Sequence, residues 1–168
     1  MTQHLRNILF CSDFSDDAHF AFSHAVYQGR SHGARLHILH VMLSPDADAV
    51  LASDQGPEQP DEKVQRPGIE EQALRALRSR YEHGLKGIAA YQFAIRFGSP
   101  DVEIIQYARE NAIDMIVMGV VGRAGTHRGR LLHTAANVSK YSECQVVTIG
   151  RSKPQSEDCP RESGVKPS

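Results

Sequence analysis

Hydrophobic and polar positions along this chain follow two rhythms in turn, and the switches between them mark out a strand–helix alternation. Asn7–Ser12 (NILFCS) is a short, nearly continuous apolar run, the pattern of a strand buried on both faces. Ser15 stands where a helix cap belongs, with Asp16 and Asp17 in the first turn, where the helix dipole favours acids. Ala18, Ala21, Phe22, Ala25 and Val26 then recur at the spacing of one apolar helix face, and Gly29 and Gly33 punctuate its end. Leu36–Val41 reads as a second strand.

From Leu43 to Pro67 the character changes. Pro45, Pro57, Pro60 and Pro67 lie among acids with few large apolar residues, which predicts a mobile insert over 43–67 with at most one short helical turn near Ala47–Ala52. A helix is expected from about Ile69 to Lys86, with Ala73, Leu77 and Tyr81 a turn apart, and Tyr91–Phe97 alternates as a strand. Ser99–Pro100 is a helix start, a capping hydroxyl followed by proline at the first helical position. That helix carries Ile104, Ile105, Ala108 and Ala112. Asp114–Met118 is the fourth strand, a glycine-rich loop runs from Gly119 to Gly129, a helix follows from about Arg130 to Ser142, and Gln145–Ile149 is the last strand. Residues 152–168 are polar, contain three prolines, and read as a disordered tail.

Five strands alternating with helices predict a parallel sheet covered on both faces, one doubly wound α/β domain over residues 1–151. Ligands of such sheets bind beyond the carboxyl ends of the strands at the topological switch point. Asp13, Val41, Gly98 and the Gly119 loop are therefore the positions expected at a site.

Composition narrows the function. The 168 residues suit one domain, and a net charge of -1 offers no field for nucleic acid or a membrane surface. No apolar run reaches the length of a membrane span, and Met1–Arg6 is too short and polar for a signal peptide. Three cysteines without a Cys-x-x-Cys spacing predict reduced thiols and a cytoplasmic location. Among nine histidines, His37 and His40 lie three apart in a strand and point to opposite faces, so no metal site is expected.

The segment Gly119–Arg130 (GVVGRAGTHRGR) carries the strongest chemical signal. It follows a strand and precedes a helix, so glycine amides and the helix N-terminus could close around phosphate, with Arg123, His127, Arg128 and Arg130 as charged donors. A solvated loop whose arginines face water is the competing reading. Neither a Walker loop nor a dinucleotide fingerprint is present.

NILFCSDFS (7–15), LHILHV (36–41), FGSP (97–100), DMIVMGVVGRAG (114–125) and CQVVTI (144–149), in this order, resemble the universal stress protein family. The resemblance implies a sheet of order 3-2-1-4-5, a homodimer through the last strand, and in some members an adenine nucleotide, ATP or AMP. It implies Asp13 near the base and ribose, the backbone of Val41 against the base, and Gly119 and Gly122 at the phosphates. Arg123 stands beside them. The ATP-binding members carry Gly-x2-Gly-x9-Gly-Ser/Thr, whereas this chain has Leu132–His133 where that pattern asks for Gly-Ser or Gly-Thr, with Thr134 or Gly129 available to compensate in a shifted register.

Two other functions compete with a nucleotide-binding stress-response module. One is an interaction dimer that binds no nucleotide, and the other is a weak nucleotide hydrolase. The second lacks a support in the sequence. Asp13–Phe14–Ser15 is not the Asp-x-Asp of a phosphatase, Phe97–Gly98 stands where a receiver domain needs its acceptor aspartate, and no catalytic base can be named.

Overall fold

The computed structural model describes residues 4–43, 62–120 and 128–150. Five strands, β1 (Asn7–Ser12), β2 (Arg35–Met42), β3 (Tyr91–Phe97), β4 (Met115–Gly119) and β5 (Gln145–Ile149), form one parallel sheet. Its order is β3-β2-β1-β4-β5, as the family resemblance implied. Four helices are described: α1 (Asp16–His32), α2 (Glu62–Tyr81), α3 (Pro100–Glu110) and α4 (Arg128–Tyr141).

The strand alternation sorts the core into two layers. Ile8 and Phe10 of β1, Leu36 and Ile38 of β2, and Met115 and Val117 of β4 face α1 and α2, where they meet Ala21, Phe22, Ala25, Leu77 and Tyr81. Leu9, Cys11, Leu39, Ile116 and Met118 face α3 and α4 and meet Ile104, Tyr107, Ala135 and Val138. Because β1 is central and buried on both faces, its sequence is apolar throughout rather than alternating.

Local chemistry fixes α1 at both ends. Ser15 Oγ accepts the Ala18 N–H at 3.1 Å, and Gly33 closes the helix at φ 62, the left-handed region a side chain disfavours. The other helices correct the sequence reading in three places. α2 begins at Glu62, inside the expected insert, and ends at Tyr81, after which Glu82–Leu85 tightens into a 3-10 turn. The helix passes through Pro67, the last residue of the expected insert, at the loss of one backbone donor. α4 starts at Arg128, two residues inside the expected loop. Ser99 precedes α3 as expected, but its hydroxyl donates to Asp101 Oδ1 at 2.6 Å instead of capping a backbone N–H. The rest of the expected insert, most of the glycine loop, and the tail after Gly150 lie outside the described residues.

Candidate nucleotide site

Parallel pairing brings the carboxyl ends of β1, β2 and β4 side by side, with Cys11 opposite Leu39 on one flank and opposite Met118 on the other. A cavity of about 70 Å³ opens there on the α3 and α4 side of the sheet. Leu39, Val41, Pro100, Ile104 and Met118 give it apolar walls, while Asp13, Gly119 and Thr134 lie at its polar rim. Such a mixture suits a flat, mostly apolar ring whose edges carry a few hydrogen-bonding groups. Asp13, Val41, Gly119 and Thr134 thus come together from the β1–α1 turn, β2, β4 and α4, although they lie far apart in sequence. His133 does not join them: it is exposed on α4 and does not line the cavity. Gly122 and Arg123 lie outside the described residues.

Asp13 sits in a tight turn between β1 and α1. Its Oδ1 accepts the Ser15 N–H at 3.0 Å, while the Ser15 hydroxyl caps α1. A carboxylate has a second oxygen with which to meet ligand hydroxyls. The next residue, Phe14, adopts φ 61, an outlying conformation for a bulky side chain.

Gly119 has a structural reason that sequence alone did not reveal. A Cβ there would stand 3.0 Å from Ala18 N and 3.0 Å from Asp17 C, against the first turn of α1. Glycine lets α1 approach the end of β4, and this demand exists whether or not a phosphate ever meets the Gly119 amide.

Beyond the cavity, two polar groups of residues were not legible in the sequence. Asp101 accepts from Ser99 Oγ and, at 2.6 Å, from Asn137 Nδ2, tying the start of α3 to α4 one turn beyond Thr134. Its pKa is lowered, chiefly by the Ser99 hydroxyl. On the opposite face of the sheet, His40 Nδ1 donates to the Ser12 carbonyl at 2.7 Å, and burial lowers the pKa of this imidazole. Periodicity marks Ser99, Asn137 and His40 only as polar, and gives no sign of their partners.

Cys11 lines the cavity, but burial pushes its thiol well above the ordinary range, so it is a poor nucleophile at neutral pH. No group of three His, Cys, Asp or Glu side chains able to hold a metal occurs among the described residues. Among those residues, no helix is long and apolar enough to cross a membrane.

This arrangement, a 3-2-1-4-5 parallel sheet with its cavity at the β1/β4 switch point, accompanies a match to the universal stress protein family model over residues 4–150. The chain belongs to the universal stress protein family. It is 29% identical over 147 residues to a universal stress protein of Bacillus subtilis, covering 84% of this chain and 97% of that one. The solved UspA structure from Lactobacillus plantarum is 27% identical, with a TM-score of 0.65 over 88% of this chain and 99% of that one. A universal stress protein solved in complex with cAMP shares the fold at 21% identity and a TM-score of 0.58, over 88% of this chain and 98% of that one.

Proposed function

We propose that this universal stress protein binds an adenine nucleotide, AMP or ATP, at the carboxyl edge of its sheet and works as a homodimeric signalling module. The observation that carries the reading is the convergence of Asp13, Val41, Gly119 and Thr134 on one apolar-walled cavity at the switch point. The base would lie against Leu39, Val41 and Ile104. Asp13 would accept from the ribose hydroxyls, and Thr134 would face the phosphate end. The family member crystallised with cAMP supports an adenine ring and a single phosphate as the minimal ligand. Leu132–His133, in place of Gly-Ser or Gly-Thr, argues against tight seating of a triphosphate, because the pattern loses the glycine that would leave its backbone bare for phosphate. The expected order is therefore AMP at least as tight as ATP. Calorimetry with both ligands on the wild type and on Asp13→Ala tests this. A binding isotherm weakened tenfold or more by Asp13→Ala is expected, and no heat from the wild type with either nucleotide overturns the reading.

Dimerisation belongs to the same proposal. β5 is the free edge of the sheet on the β4 side, and it is largely apolar. Edge strands of this kind are covered in soluble proteins, and a two-fold copy of the same strand does so at no cost in new sequence.

A further inference from the structure

The β1–α1 turn that presents Asp13 is strained, and strain of this kind persists only where surrounding groups over-determine it. Here the determinants can be named. The Phe14 N–H donates to Ser12 Oγ at 3.1 Å, and the Ser15 N–H to Asp13 Oδ1 at 3.0 Å. The Phe14 ring stands edge-on to His40, with centroids 4.7 Å apart. Ser12 Oγ is itself held from α2, on the same face of the sheet: it shares a 2.7 Å hydrogen bond with the Tyr81 hydroxyl, across 69 residues of sequence.

Tyr81 is the last residue of α2 and is fully buried. Its ring is wedged between Phe10 and Phe22, at centroid distances of 5.1 Å and 4.7 Å, so the place of its hydroxyl follows from how α2 seats on the sheet. Were the ring needed only for packing, phenylalanine would serve, as it does at positions 10 and 22. The hydroxyl has a specific task, because a buried hydroxyl is retained where it meets a partner.

We propose that Tyr81 is a positioning residue for the candidate site: through Ser12 Oγ it fixes the turn that carries Asp13, and so links the seating of α2 to ligand affinity. The link to affinity rests on the nucleotide reading above, whereas the hold on the turn does not. If α2 moves, Ser12 Oγ loses its anchor, the Phe14 N–H loses a fixed acceptor, and Asp13 leaves the geometry set by its bond to Ser15. Linkage is reciprocal, so a ligand on Asp13 would in turn stabilise α2 on the sheet.

The test compares wild type, Tyr81→Phe, Ser12→Ala and the double variant. Tyr81→Phe keeps the aromatic trio and removes one atom, so it is expected to fold. Amide exchange of Phe14 and Ser15 is read against that of Ile116, a fully buried residue of β4. Loss of one net hydrogen bond predicts exchange on the order of fivefold faster at Phe14 and Ser15 in Tyr81→Phe, with Ile116 unchanged. The double variant should exchange no faster there than Ser12→Ala alone, since both changes break the same link. AMP affinity, by calorimetry, should fall by a similar factor in Tyr81→Phe. Unchanged rates at Phe14 and Ser15, or an equal rise at Ile116, overturn the proposal, as does undiminished AMP affinity in Tyr81→Phe. If the wild type binds no AMP, the nucleotide reading fails, and the exchange pattern alone decides whether Tyr81 holds the turn.

Discussion

Acid titration of the fold probes a polar island beneath α3. His37 of β2 is only 3% exposed. Its Nδ1 accepts from the Gln92 side-chain amide at 3.0 Å and meets the Tyr107 hydroxyl at 3.1 Å, which places the proton on Nε2. That Nε2 has no hydrogen-bond partner. Burial, with a smaller effect from the positive charge of Arg35, lowers the His37 pKa from 6.5 to about 4. The sign follows directly. The unfolded chain takes up a proton near pH 6.5, whereas the folded chain resists it until about pH 4, so stability is unaffected above 6.5 and falls as the pH drops between these values. Each pH unit in that window costs about 1.36 kcal/mol, or about 2 kcal/mol by pH 5 and about 3 kcal/mol by pH 4. Carboxylates also titrate in this range, so the measurement is a difference. Urea unfolding of wild type and His37→Leu is compared across the window; leucine cannot titrate, and Gln92 keeps its 2.9 Å bond to Tyr107. The variant should gain about 2 kcal/mol on the wild type between pH 6.5 and pH 5. Parallel stability curves, or a His37 ring-proton resonance that titrates above pH 6, would refute the reasoning.

Three further outcomes are expected. Gly119→Ala should cost roughly 1–3 kcal/mol in urea unfolding without any ligand, because its Cβ presses on the α1 backbone; an unchanged midpoint would remove the packing role. Asn137→Leu should cost about 1 kcal/mol by the same measurement, because Asp101 loses one of its donors; no loss would show that the α3–α4 tie is idle. For the dimer, the Gln145 N–H bonds to Asp114 O and the Ile149 carbonyl to the Val120 N–H, so residues 145, 147 and 149 face β4, and Val146 and Thr148 point their backbone outward. Thr148→Pro should then yield a folded monomer in light scattering, since proline removes an outward donor only; a wild-type monomer at high micromolar concentration would end the dimer proposal.

The sequence by itself determined the elements and their class. Period-2 and period-3.6 patterns are local, and so are the Ser15 cap and the Gly33 stop, because each depends on residues within a turn or two of its own position. The strand order came with the family resemblance, and the convergence of Asp13, Val41 and Gly119 follows from it, since parallel strands deliver all their carboxyl ends to one edge. What only the tertiary structure decided is pairing at a distance. A pattern marks Tyr81 as an apolar-face residue and His37 as an interruption, but not that the first reaches Ser12 or that the second meets Tyr107, 70 residues away. It marks Gly119 as part of a loop motif, while the backbone of α1 supplies an independent need for glycine. It puts His133 beside Thr134, yet helix geometry sends the first to solvent and buries the second. Hydrophobic burial is non-directional and can be read from the identity of a residue alone, whereas a hydrogen bond or a close backbone approach requires the position of a second group, which exists only once the chain has folded.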